Sequence, residues 1–193
     1  KIKASGPLRV VANPIFDPSR WAASRERLMA THPHFGEVTD LVASYVECSA
    51  RSTEPLVIPP LLLWGEPGIG KTRYSQDLAQ ALTAPLRRQS MENAQSTSLL
   101  LGTERHWSTA GPGVILEEIV LGQFANPVFL LDELDKAPID GRYDPLAALH
   151  CLLEPLTAKN VRDAGLDLEF DASLATYIAT ANVLRRIPSS VLS

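Results

Sequence analysis

The chain has 193 residues, 45% of them hydrophobic and 21% charged, enough to bury a sizeable core in one domain with a small appendage. A formal net charge of −4 gives no overall attraction for nucleic acid, and no apolar run approaches the roughly eighteen residues needed to span a bilayer. Cys48 and Cys151 lack metal-type spacing and sit in apolar, helical-looking stretches. With no signal-peptide pattern at the start, they predict buried, reduced thiols in a cytoplasmic protein.

Residues 1–20, punctuated by Gly6, Pro7, Pro14 and Pro18, read as an extended lead-in. Asp17-Pro18-Ser19 begins a predicted helix to Met29, with Ser19 as N-cap and Trp21, Leu28 and Met29 as core residues. His32-Pro33-His34-Phe35-Gly36 breaks it, and its two histidines mark a turn rather than a metal site. A second helix over 37–50 carries Val38, Leu41, Val42, Tyr45 and Val46 at helical spacing. Thr53-Glu54-Pro55 and Pro59-Pro60 bracket a turn, so residues 1–55 read as an N-terminal helical annex and 56–193 as the core.

The core opens with the apolar run Leu61-Leu62-Leu63-Trp64 as a strand, then a helix over 71–82 with Leu78, Ala79 and Leu82 inward, and a second strand over 85–89. Short helices over 96–101 and 113–121 end at Gly102 and Gly122. Pro127-Val128-Phe129-Leu130-Leu131 is wholly apolar, as expected of a strand buried on both faces of a parallel sheet. Asp144-Pro145 opens a helix to about Leu153, with proline at the first helical position. The alternation over 165–171 reads as a strand or hairpin arm, and 175–180 as a further buried strand ending at Ala181-Asn182. Alternating strands and helices predict an α/β fold with a mostly parallel central sheet flanked by helices.

Gly65-Glu66-Pro67-Gly68-Ile69-Gly70-Lys71-Thr72 has the P-loop spacing G-x-x-x-x-G-K-[ST] between that first strand and a helix. A loop that wraps a triphosphate points successive backbone N–H groups inward, which glycines at 65, 68 and 70 permit. The following helix aims its positive end at the same phosphates. Lys71 puts a cation on the β and γ oxygens, and the Thr72 hydroxyl ligates Mg²⁺. The strand at 127–131 ends in Asp132-Glu133, and a carboxylate there lies beside the P-loop, where open α/β sheets bind ligands. Asp132 then holds the Mg²⁺ shell. Glu133 polarises a water for attack on the γ-phosphate, which is hydrolysis rather than transfer to a substrate hydroxyl. The candidate nucleotide-binding residues are Gly65, Glu66, Pro67, Gly68, Ile69, Gly70, Lys71, Thr72, Arg73 and Asp132, with Thr72 and Asp132 on the metal. The cofactors expected are ATP or ADP with Mg²⁺.

From about Pro60 to Ser193 the chain resembles an AAA+ ATPase, and within that superfamily the ATPase domain of the Lon-type ATP-dependent proteases. Residues 65–72 match that family's Walker A, and Phe129-Leu130-Leu131-Asp132-Glu133-Leu134-Asp135-Lys136 its Walker B with an Asp-Lys extension. Asp144-Pro145-Leu146-Ala147-Ala148-Leu149 and Leu152-Leu153-Glu154-Pro155 resemble the helix that follows. The resemblance implies that Asn182 is the sensor 1 residue, acting with Glu133 and Lys71 in catalysis. It also implies that Trp107, within Arg105-His106-Trp107-Ser108-Thr109-Ala110-Gly111-Pro112-Gly113, is the pore aromatic that grips polypeptide, where the family more often has Tyr.

The function implied is ATP hydrolysis that drives polypeptide remodelling, unfolding or degradation by a homo-oligomeric ring, hexameric in that family's manner. The competing reading is an AAA+ ATPase in nucleic-acid transactions, of clamp-loader or branch-migration type. By the same resemblance, the arginine finger, sensor 2 and the C-terminal small subdomain are not among these residues, which would form the large subdomain alone. Arg185 and Arg186 read as solvated or subunit-contact side chains, and no Ser-Lys peptidase dyad can be assigned.

Overall fold

A computed structural model describes residues 10–11, 18–52, 54–94, 96–104, 110–138 and 144–192. Most of the lead-in, and Trp107, lie outside the described residues. Four parallel strands form the main sheet: β1 (Leu61–Trp64), β2 (Leu86–Ser90), β3 (Val128–Asp132) and β6 (Thr176–Ala181), in the order β1-β6-β3-β2. Alternate side chains enter opposite cores. Val128, Leu130 and Ile178 pack on one face with Leu61 and Leu63, while Phe129, Leu131 and Tyr177 pack on the other. Every residue of β3 is buried, so its sequence shows no polar alternation.

The first face is covered by α1 (Pro18–Thr31), α2 (Gly36–Ala50) and α3 (Lys71–Ala81). Trp21, Leu28, Phe35, Val42 and Val46 join Tyr74 and Leu78 in one apolar cluster with the strands. The second face is covered by α4 (Ser98–Leu101), α5 (Val114–Val120) and α6 (Ala147–Leu153), with the antiparallel hairpin of β4 (Val161–Asp163) and β5 (Leu168–Phe170) beside them. A short final helix, α7 (Ser189–Leu192), leans Val191 against the same cluster.

Several local expectations are corrected. Helix α1 begins at Pro18, so Ser19 lies in its first turn rather than capping it; proline's fixed φ suits that first position. On α2 the buried stripe is Thr39, Val42, Ala43 and Val46, which leaves Leu41 and Tyr45 exposed at 44% and 37%. Cys48 is exposed, not buried, and Cys151 is half-buried. Helix α6 starts at Ala147 rather than at Pro145; the Asp144 carboxylate accepts the Leu146 N–H at 2.8 Å in the turn that precedes it. Gly165 sits in the turn between β4 and β5 rather than in a strand. That turn is organised by buried Asp163, which accepts N–H groups from Gly113 at 2.7 Å and Leu166 at 2.8 Å.

The annex is tied to α3 by polar contacts as well as by packing. Phe35 stacks on Tyr74 with ring centroids 4.6 Å apart, and the Tyr74 hydroxyl meets Thr39 Oγ1 at 3.0 Å. Asp77 Oδ2 lies 2.9 Å from His32 Nε2 and accepts from Arg73 Nε at 3.0 Å. Burial works against the Asp77 carboxylate, but hydrogen bonds from His32 and Arg73 outweigh it and hold the group below its ordinary 3.8. A depressed carboxylate contributes stability that is present above the unfolded-state value and lost as pH falls through the native one. Asp77→Asn is therefore expected to cost about 1 kcal/mol at pH 7 and progressively less as pH falls below 3.8, measured by urea unfolding across that range. A penalty unchanged across that range would show that the charge is not what matters.

Candidate functional site

The loop between β1 and α3 begins where the Gly65 N–H bonds the Ala181 carbonyl at 3.2 Å, fastening it to the end of β6. Gly68 and Gly70 have φ of 84° and 92°. A Cβ at either would meet nothing within 4 Å, so the left-handed dihedral, and not crowding, is what calls for glycine there. Gly70 precedes α3, and Lys71 is its first residue. The lysine folds back into the loop. Its Nζ donates to the carbonyls of Gly65 at 2.7 Å and Glu66 at 2.9 Å, and to Asn182 Oδ1 at 2.8 Å. Lys71 is 8% exposed, and burial lowers its pKa against the opposing charges of Asp135 and Asp132. The ammonium thus fills the concave side of the loop with bonds that an anion's oxygens could replace.

Thr72 lies in the first turn of α3 and donates to Asp132 Oδ1 at 3.0 Å, bridging the two sequence motifs. The same oxygen accepts from Thr180 Oγ1 at 2.6 Å, while Asp132 Oδ2 accepts from Arg88 Nε at 2.8 Å and Nη2 at 2.5 Å. Burial alone would raise the Asp132 pKa, but the bonds from Thr180, Arg88 and Thr72 outweigh it and hold the carboxyl below its usual range. Glu133 follows in the left-handed region, with φ 60° and ψ 50°. Its N–H donates to Thr180 Oγ1 at 2.9 Å, so Glu133, Thr180 and Asp132 form one chain of hydrogen bonds. The Glu133 carboxylate accepts from Lys136 Nζ at 2.7 Å, and that bond raises the lysine pKa. Asp135 fixes the end of β6 by accepting the backbone N–H groups of Asn182 at 3.2 Å and Val183 at 3.0 Å.

Lys71, Thr72, Asp132, Glu133 and Asn182 are therefore brought to one end of the sheet, joined directly or through Thr180. Glu66, Pro67, Gly68, Ile69 and Arg73 lie along the loop and the start of α3, and Trp107 falls outside the described residues. The oxygens present suit magnesium. Because Thr72 donates its hydrogen to Asp132, the threonine lone pairs stay free, and Mg²⁺ needs few protein ligands when phosphates and waters supply the rest. Among the described residues no three His, Cys, Asp or Glu side chains gather around a metal-sized point.

Sequence reasoning did not single out Arg88, Thr180 or the annex side of the loop. His34 Nε2 meets the Ile69 carbonyl at 2.7 Å, and a cleft of about 500 Å³ opens there between His34, Phe35 and Val38 of the annex and Trp64 and Ile69. The signal for Arg88 was a charged pair, Arg87-Arg88, inside a strand of a sheet whose other strands carry no basic residue. For Thr180 it was a hydroxyl two residues before Asn182.

Residues 61–193 match the family described as ATPase family associated with various cellular activities (AAA). The chain is 36% identical over 168 residues to a Lon protease of Neorickettsia sennetsu, covering 87% of this chain and 20% of that protein. It is 42% identical over 132 residues to a Lon protease of Metamycoplasma arthritidis, covering 68% and 16%. A Lon protease of Mycolicibacterium smegmatis is 34% identical over 184 residues, covering 91% and 24%. The chain thus spans about a fifth of the length of these curated relatives.

Proposed function

The chain belongs to the AAA family of ATPases, and on that premise we propose that it binds ATP with Mg²⁺ and hydrolyses it to drive polypeptide remodelling in a homo-oligomeric ring. The observation that carries this reading is the meeting of Lys71, Thr72, Asp132, Glu133 and Asn182 across 111 residues of sequence. On binding, the triphosphate takes over the Lys71 ammonium from the carbonyls of Gly65 and Glu66, while the loop N–H groups and the start of α3 receive the phosphate oxygens. Thr72 and Asp132 would hold Mg²⁺, which would supply charge neutralisation at the phosphates. Glu133 accepts a proton from the attacking water as its oxygen bonds to the γ-phosphorus. The bond from that phosphorus to the β-bridging oxygen breaks, and ADP leaves with the electron pair. Asn182 orients the γ-phosphate side. The cleft beside Trp64 and Phe35 takes the base, an apolar slot with the polar edge of His34 at its rim.

The polypeptide substrate is supported by the similarity to Lon proteases, and the net charge of −4 weighs against nucleic acid. A cytoplasmic setting is consistent with the absence, among the described residues, of any helix long and apolar enough to cross a membrane. Trp107 is assigned to the substrate channel. The test is ATP turnover by the full-length protein with an unstructured polypeptide or with DNA. Polypeptide is expected to stimulate turnover, EDTA to abolish it, and Trp107→Ala to remove the stimulation while sparing basal activity. Turnover stimulated by DNA, in a salt-sensitive manner, would replace this reading with a nucleic-acid motor.

A further inference from the structure

Arg88 has no part in the reading above, yet it makes the closest charged contact to Asp132. Strand register explains its reach. On β2, Ser90 lies opposite Asp132 and Arg88 opposite Leu130, so the arginine extends along the strand direction toward the carboxylate two residues further on. Its planar fork delivers two N–H groups to Oδ2, which a lysine could not do. The Arg88 side chain is 55% exposed whereas that of Asp132 is 4% exposed, so the arginine can swing into solvent at little packing cost.

A carboxylate offers about four acceptor positions. Here Thr72 and Thr180 use Oδ1, and Arg88 uses Oδ2 twice. Thr180 cannot leave without disturbing the Glu133 backbone, and Thr72 already presents its free lone pairs while remaining bonded. A metal ion held at Asp132 would therefore take its place from Arg88, against the repulsion of a fixed positive charge. We propose that Arg88 is a resident competitor for the metal at Asp132, and that it sets the Mg²⁺ concentration at which this chain takes up nucleotide in its metal-bound form. The inference rests on the reading of Asp132 as the metal-side carboxylate.

The experiment is a titration of buffered free Mg²⁺ against binding of a fluorescent N-methylanthraniloyl ADP. It is run on the wild type, Arg88→Gln and Arg88→Lys, with melting temperatures recorded beside it. Arg88→Gln keeps donors but removes the charge, and its Mg²⁺ midpoint is expected to fall about tenfold. Arg88→Lys keeps the charge but loses the two-point bond, so its midpoint should fall clearly less than that of Arg88→Gln. The extra melting-temperature gain from Mg²⁺ over ADP with EDTA should be larger for the glutamine variant, although its ligand-free form melts lower. Arg88→Met serves in its place should the glutamine variant not fold. An unchanged or raised midpoint in the uncharged variant, or an equal shift in Arg88→Lys, overturns the competitor role and leaves Arg88 as a structural counter-charge. Wild-type ADP binding that ignores Mg²⁺ would instead remove the reading of the site itself, and this inference with it.

Discussion

Glu133→Gln is expected to keep ATP binding within about twofold while lowering turnover by about 10²–10⁴-fold, the size of a general-base contribution. Glutamine matches the side chain in shape and can still accept from Lys136, which now bonds Glu133 at 2.7 Å. It cannot accept a water's proton. The backbone argues in the same direction. Glu133 is not glycine, yet it sits at φ 60° and ψ 50°, a conformation that carries a cost and is held by the Thr180 bond to its N–H. The side chain beyond it is 34% exposed, within reach of solvent. Single-turnover phosphate release with a parallel binding measurement separates the two effects. Full turnover in the glutamine variant would place the base elsewhere.

Lys71→Ala is expected to weaken ATP binding by at least about 100-fold, because charge-assisted bonds to phosphate contribute about 1.5–3 kcal/mol each. The structure adds a second consequence. The ammonium satisfies two loop carbonyls and the Asn182 side chain, so its removal also loosens the loop and the end of β6. A loss of about 1–3 kcal/mol in the ligand-free protein should accompany the binding defect. Calorimetric titration with a non-hydrolysable ATP analogue and urea unfolding of the ligand-free variant measure the two terms. Unaltered affinity would mean that phosphates do not enter this loop.

The parts of the site written in local spacing were legible without coordinates. Glycines at 68 and 70, followed at once by Lys71 and Thr72, encode a loop conformation and a helix start within a few residues. The unbroken apolar run before Asp132 encodes a strand with both faces covered. Segment edges were less legible, because short-range competition decides them. Asp144 accepts the Leu146 N–H in a turn that precedes α6, and the stripe on α2 proved too narrow to bury Leu41 and Tyr45. The annex could be seen as two helices but not as a wall of the cleft beside Ile69, since the meeting of His34 with Ile69 and of Phe35 with Tyr74 joins residues more than thirty positions apart.

By itself the sequence determined the phosphate loop, the buried acid-bearing strand and the alternation that makes a parallel α/β sheet, because each depends on dihedral preference and burial over a few consecutive residues. Only the tertiary structure decided which charges surround Asp132. Arg88 and Thr180 reach it from two other strands, through a register that no local pattern carries. A carboxylate with 4% of its side chain exposed has its charge set by the neighbours that replace water, so its chemistry belongs to the assembled sheet.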